Sequence, residues 1–265
     1  MKIPKIEFDN VTKIFSTRRQ KITAVKDFSI SIEEGQFVSI VGPSGCGKST
    51  VIRLLNGIIA PTSGEIKIDD VAHGKKKLSK ERLKKMGFIF QEPNLLPWLT
   101  IRDNVALPLK VFHMKENENW ERVDELLNMV GLYESRDLFP TEVSGGMTQR
   151  AGVIRAMVHN PEILLMDEPF GALDGITQDA LDMEILDVWE KTKKTIIFIT
   201  HNIDEAVLLS QKIFVMATQP GRLISVEDVV LPYPRKLEMK ETRQFIDFSH
   251  KVTDLLGELE LSIIK

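Results

Sequence analysis

The chain has 265 residues, 43% of them apolar and 28% charged, enough for one large α/β domain with a sizeable core but not for two. Its formal net charge of −3 excludes a global attraction to nucleic acid or anionic lipid. A single cysteine, Cys46, excludes an internal disulfide framework, so a soluble protein of a reducing compartment, the cytoplasm, is expected.

The opening stretch MKIPKIEFDN has no apolar core leading to a small-residue cleavage site, so no secretory signal is expected. The longest apolar runs, such as Ile196-Ile197-Phe198-Ile199, fall far short of the roughly 18 to 20 residues that span a bilayer. Ile6 to Phe8 and Lys13 to Phe15 read as two strands. Phe28, Ile30 and Ile32 alternate with Ser29 and Ser31, as in a strand with one covered face, and the three together predict an antiparallel patch. Phe37 to Val41 is a nearly continuous apolar run that enters a Gly-rich loop, and Ser49 to Gly57 reads as the following helix, closed by Gly57. Ile163 to Met166, Thr195 to Ile199 and Ile213 to Met216 are short and apolar, as strands buried on both faces should be. Helical patterning lies between them, which predicts a mainly parallel sheet with helices on both sides.

Between Pro93 and Gly146 the texture changes. Trp120, Val123, Leu126, Leu127 and Val130 recur at helical spacing, and a small helical insertion is expected. After Pro232 and Pro234, the residues Phe245, Phe248, Val252, Leu255, Leu256 and Leu259 mark an amphipathic helix. The expected division is a main domain of 1–230, with a helical subdomain at about 93–155, and a helical tail of 231–265 too short for a separate regulatory domain.

The loop Gly42, Pro43, Ser44, Gly45, Cys46, Gly47, Lys48, Ser49, Thr50 satisfies the phosphate-binding pattern G-x-x-x-x-G-K-[ST]. Its glycines let backbone N–H groups curl around phosphate oxygens, and the next helix points its positive end at the same place. Lys48 should contact the β- and γ-phosphates, and Ser49 should offer a hydroxyl to Mg²⁺. Asp167 closes a buried strand, where its carboxylate can hold Mg²⁺, through water because that ion dehydrates reluctantly. Glu168 follows directly and is expected to point toward the γ-phosphate and polarise the attacking water. A second Gly-rich segment, Val143-Ser144-Gly145-Gly146-Met147, stands just before the acidic strand, and is useful only if it reaches the nucleotide of another copy.

With these motifs in this order, the chain resembles the ATP-binding cassette (ABC) ATPases, the motor subunits of membrane transporters, over about its first 230 residues. The likeness rests on the signature Ser144-Gly145-Gly146, on Gln91 after Phe88-Ile89-Phe90, on the turn Ala172-Leu173-Asp174, and on His201 after Thr195 to Thr200. It implies the P-loop NTPase ABC ATPase fold, with a mainly parallel sheet core, an antiparallel β subdomain and a helical signature subdomain. It implies head-to-tail pairing of two subunits around ATP. Carried over, Gln91 senses Mg²⁺ and water, His201 grips the γ-phosphate, and Asp174 crosses the dimer seam. Glu168, His201, Gln91 and Lys48 are then the catalytic set, and Ser49, Gln91 and Asp167 surround the metal. Phe15 resembles the aromatic that stacks on adenine, with ordinary core packing as its other reading. Val143 replaces the usual Leu, Met147 the usual Gln, and Phe170-Gly171 the usual Thr-Ser. The Met form and the Phe-Gly-Ala-Leu-Asp turn are familiar among importer motors.

The same resemblance implies partners. These are a second copy or a paralogous ABC subunit, an integral membrane permease, and indirectly an extracytoplasmic solute-binding protein, with no nucleic acid. The expected location is the cytoplasmic face of the membrane. Gln91 to Thr100 carries Leu95, Leu96, Trp98 and Leu99 between two prolines, and either borders the permease groove or seals the helical insertion to the core. Its Leu-Leu-Pro-Trp-Leu-Thr run resembles nitrate, sulfonate and taurine importer motors. Cys46, beside Lys48 and a helix start, is either a reactive thiol or a small residue filling the loop. The basic run His73 to Lys85 reads as a solvated face. A soluble cassette acting on DNA or ribosomes, a non-hydrolysing scaffold and an exporter motor are the rival readings.

Overall fold

The computed structural model describes residues 3–16, 20–73, 78–114, 116–171 and 174–263, the side chains of 116–119 and 258–263 excepted. Ala172 and Leu173 of the predicted turn, 74–77 of the basic run and the Leu259 side chain lie outside that description. The chain divides into two units, one of Met1–Leu78 with Thr192–Lys265, the other of Ser79–Lys191.

In the first unit β1 (Ile6–Ser16) runs antiparallel to β2 (Lys21–Ile32). The two short strands expected at residues 6–8 and 13–15 are one. The register shifts between Phe8 and Val11, where Asn10 takes a positive φ of 47°. This irregularity lets Phe8 and Val11, three residues apart, both be buried. The next elements are β3 (Phe37–Val41), α1 (Lys48–Leu55), β4 (Ser63–Ile68) and β5 (Val71–His73). α1 starts one residue earlier than expected and ends before Gly57. β2, β1, β4 and β5 form a four-stranded antiparallel sheet. Ile6, Phe8, Phe28, Ile32 and Ile66 are buried on it, and the rings of Phe8 and Phe28 meet edge-on at 5.5 Å.

The second unit runs through α2 (Lys80–Lys84), β6 (Met86–Ile89), α3 (Ile101–Val111), α4 (Glu116–Met129), α5 (Gly145–Met157), β7 (Ile163–Asp167) and α6 (Gly175–Thr192). β6 and β7 pair in parallel. Between them every described regular element is a helix, as the spacing predicts. Ile101, Val105 and Leu109 of α3, Val123, Leu126 and Leu127 of α4, and Ala151 and Ile154 of α5 make one buried cluster. Arg102 closes its edge, donating to both oxygens of Asp124 at 3.0 and 2.8 Å while stacking on Trp120 at 4.6 Å.

The chain returns to the first unit with β8 (Thr195–Ile199), α7 (Ile203–Leu209), β9 (Lys212–Ala217), β10 (Arg222–Asp228) and α8 (Arg243–Ile263). β3 is parallel to β8 on one side and to β9 on the other, and β10 closes the edge antiparallel to β9. Every side chain of β3 and β8 is buried, because strands covered on both faces have no side for polar residues. The polar exception in β3, Ser39, is satisfied by the Ser210 hydroxyl. In α8, Phe245 and Val252 are buried and Phe248, Leu255 and Leu256 half-buried, the apolar face its spacing predicts. Among the described residues no helix is long and apolar enough to cross a membrane.

Candidate functional site

β3 ends where the phosphate loop begins, and α1 begins where it ends. Gly47 caps α1 at φ 97°, a left-handed conformation, and a Cβ there would lie 2.6 Å from the Ala24 carbonyl oxygen. A Cβ on Gly42 would meet the Met216 carbonyl oxygen at 2.6 Å and the Cys46 sulfur at 2.7 Å, so both positions admit glycine alone. Lys48 is buried, its ammonium donating to the Gly42 carbonyl at 2.7 Å and the Pro43 carbonyl at 3.3 Å. Ser44 and Gly45 are exposed; Pro43, Ser49 and Thr50 are half-buried. No acidic residue occupies the first turn of α1, so the positive end of that helix is suited to phosphate.

Cys46 is fully buried. Reactivity needs access as well as a thiolate, so its burial favours the reading in which a small residue fills the loop. What packs on it comes from a segment far away in the chain. A Cβ on Gly221, in the turn after β9, would lie 2.1 Å from the Cys46 carbonyl oxygen and 2.3 Å from that of Ala24. Gly221 also accepts from the Lys26 amide at 2.7 Å, which locks this turn under the phosphate loop.

In the same unit His201 is exposed in the bend after β8. The bend is fastened to the start of α7: Asn202 caps that helix by accepting from the Asp204 and Glu205 amides, and its own amide donates to the Thr200 hydroxyl at 2.9 Å. Thr200 in turn donates to the buried carboxylate of Glu205. Phe15 lies near the end of β1, opposite Ile22, and is 39% exposed. That exposure argues against core packing, and the Lys13 ammonium lies 5.1 Å from the ring centroid.

The second unit carries the acidic strand end. Asp167 is the last residue of β7 and is half-buried, as is Glu168. Glu168 has φ 46°, so the chain turns sharply there instead of continuing the strand. Holding a non-glycine residue left-handed costs about 1–3 kcal/mol, and such strain clusters at functional sites. Gln91 is exposed just beyond β6. The buried carboxamide of Gln149 in α5 donates to the Pro169 carbonyl and, at 3.5 Å, to the Gln91 carbonyl, so one side chain joins the two loops.

Ser144 caps α5, accepting from the Met147 amide at 3.3 Å. Ser144 and Gly145 are exposed, and among the described residues nothing lies within 4 Å of where a Cβ on Gly145 would stand. A Cβ on Gly146 would meet a Thr177 methyl at 3.8 Å. The departures at Val143 and Met147 have a local reason, since both pack against the buried helical cluster. Asp174 accepts from the Thr177 hydroxyl at 2.8 Å and the Thr177 amide at 3.1 Å at the start of α6; these bonds, the hydroxyl's foremost, hold its carboxyl below the ordinary value.

Gln149 and Gly221 are the supporting residues that the sequence did not disclose. Pro220-Gly221 is a turn dipeptide, which was a legible sign of a turn but not of its place beneath the phosphate loop.

The family model described as ABC transporter matches residues 25–171. An aliphatic sulfonates import ATP-binding protein of Bacillus cereus is 40% identical over 247 residues, 93% of this chain and 94% of that one. An uncharacterized ABC transporter ATP-binding protein of Methanocaldococcus jannaschii is 36% identical over 261 residues, 98% and 94% of the two chains. A solved dimeric ATP-binding cassette in a post-hydrolysis state, bound to ADP and Pi, superposes with a TM-score of 0.76 at 34% identity, covering 86% of this chain and 100% of that one.

Proposed function

Because the chain belongs to the ABC transporter family, as an ATP-binding and ATP-hydrolysing subunit, we propose that two copies close head to tail around two ATP molecules and drive a separate permease. The observation that carries this reading is the exposed start of α5. Ser144 and Gly145 present a helix end to the outside, which suits it to the phosphates of a neighbouring copy. The dimeric state of the similar cassette supports it.

In this mechanism the phosphate loop amides, the α1 terminus and Lys48 hold the triphosphate, and Phe15 stacks on the base. Ser49, Gln91 and Asp167 would hold Mg²⁺, since hydroxyl, carboxamide and carboxylate oxygens are hard donors of the kind that ion takes. When bound, that ion would neutralise charge on the phosphate oxygens. Glu168 orients a water and accepts its proton as the oxygen attacks the γ-phosphorus. The bond to the bridging oxygen breaks, leaving ADP and phosphate. His201 and the partner copy's signature stabilise the charge spread over the γ-phosphoryl oxygens.

The α5 helix also ties the signature to the segment after Gln91. Gln149 reaches the Gln91 carbonyl, Arg155 donates to the carbonyls of Pro93 and Asn94, and Gly152 lets Pro93 approach to 3.1 Å of a would-be Cβ. Engagement of the signature and movement of this segment are thereby one event. Trp98, 69% exposed on the segment, is the proposed contact for a cytoplasmic helix of the permease. The chain would then work as a peripheral subunit at the cytoplasmic face of the membrane. The similarity to an aliphatic sulfonates import protein supports import of a small anionic or organic solute of the nitrate, sulfonate or taurine type. Solute choice would rest with the permease and an extracytoplasmic binding protein.

The test is Glu168→Gln. The variant should bind ATP, lose turnover by at least about 100-fold, and elute with ATP at twice the monomer mass. Normal turnover, or a monomer at saturating ATP, would refute the proposal.

A further inference from the structure

The residues after Pro232 grip both ends of α7, the short helix that follows His201. At its carboxyl end the Arg235 guanidinium, 2% exposed, donates to the carbonyls of Val207 at 2.9 Å, Leu208 at 2.9 Å and Ser210 at 2.7 Å. These are among the last carbonyls of a helix, which no intrahelical amide reaches, and a cation is well placed among them. Arg235 is itself held flat by the Tyr233 ring at 4.3 Å, and the Tyr233 hydroxyl donates to the Leu209 carbonyl at 3.4 Å. At the amino end the hydroxyl of Ser249, on α8, donates to the Asp204 carboxylate at 2.9 Å. Asp204 lies in the first turn of α7, three residues after His201.

Inside α7 the connection to His201 is short. The same turn supplies the buried Glu205, which accepts from Thr200, and Thr200 accepts from the Asn202 amide, so the residues on both sides of His201 are fastened to the helix. Ser210, whose carbonyl Arg235 holds, also bonds through its hydroxyl to Ser39 of β3, the strand that leads into the phosphate loop. A shift or tilt of α7 would therefore move His201 relative to the loop that begins at Gly42, all within one unit.

We infer that Arg235 and Ser249 are positioning residues for ATP hydrolysis, acting through α7 to hold His201. The tail is in this view part of the catalytic frame and not an appendage. The inference rests on the proposed reading of His201 as the γ-phosphate contact.

Steady-state turnover and equilibrium MgATP binding of the full chain test it, for Arg235→Met, Arg235→Lys and Ser249→Ala, each alone and combined with His201→Ala. Displacing a charge-stabilising group by a fraction of an ångström should lower kcat about tenfold in Arg235→Met and about threefold in Ser249→Ala, with KM and ATP affinity within about twofold. Arg235→Lys keeps a cation among the carbonyls and should recover to within about threefold of the unaltered chain. In the His201→Ala background neither change should lower kcat further, because residues acting through one group are not additive. Unchanged kcat in Arg235→Met and Ser249→Ala, beside a strong loss in His201→Ala, would overturn the inference and leave the reading of His201 standing. Losses that multiply with His201→Ala would overturn it too. Normal turnover of His201→Ala would overturn both. Should Arg235→Met fail to fold, Ser249→Ala, which removes one hydroxyl, decides between the same outcomes.

Discussion

Replacing Asn104 by Leu removes a single buried carboxamide that holds the segment carrying Trp98. Asn104 is fully buried in the first turn of α3, and its side-chain oxygen accepts from the Leu96 amide at 2.7 Å. Its nitrogen donates to the carbonyls of Leu96, Leu99 and Thr100 at 3.1, 3.0 and 3.0 Å. The Thr100 carbonyl keeps the helix bond from the Asn104 amide, and the Leu96 carbonyl keeps the turn bond from Leu99. Two groups then lose their partner outright, the Leu96 amide and the Leu99 carbonyl. A buried polar group left unmade costs about 1–3 kcal/mol, and both residues are only half-buried, so about 2–4 kcal/mol in total is expected. Urea unfolding should register that loss, and the Leu96 amide should lose its hydrogen-exchange protection. ATP binding should persist while permease-stimulated turnover falls. Stability within about 0.5 kcal/mol of the unaltered chain, with Leu96 still protected, would refute the reasoning.

Gly221→Ala forces a methyl against the Cys46 and Ala24 carbonyl oxygens, so a loss of about 1–3 kcal/mol and weaker ATP binding are expected; urea unfolding and nucleotide titration check both, and an unchanged midpoint contradicts the packing. Buried Cys46 should react with a thiol alkylator far more slowly in the folded chain than in urea, as mass spectrometry would follow; equal rates would show that the loop does not enclose it. For Asp174 the folded pKa lies below the unfolded one, so its contribution is complete above the ordinary carboxylate range and is lost as pH falls through the depressed value. Thr177→Val should move that titration upward in a carboxyl NMR experiment, and an unmoved titration would contradict the assigned cause.

The parts read most directly from sequence are those whose physics is local. β3 and β8 stand out because burial on both faces leaves an unbroken apolar run, and the phosphate loop because its glycines, lysine and helix are contiguous. β1 reads as two strands because the irregularity near Asn10 breaks the period of two, and no single window spans it. β4 and β10 do not stand out in the sequence because each mixes charged and apolar residues, and their strand character comes from antiparallel partners elsewhere in the chain. Gln149, Asn104, Arg235 and Gly221 escaped for a related reason. Each satisfies or approaches backbone carbonyls, which carry no residue identity, and most of these lie far away in sequence. Exposure of Phe15 and burial of Cys46 were likewise tertiary outcomes that composition could not decide.

The central claim is that each ATP is hydrolysed between two copies of the chain, and specific activity across a dilution series tests it most directly. Activity per chain should fall with dilution once pairing becomes incomplete, and Ser144→Arg should bind ATP yet stay inactive at every concentration. Constant activity per chain to the lowest measurable concentration, with Ser144→Arg as active as the unaltered chain, would contradict the account.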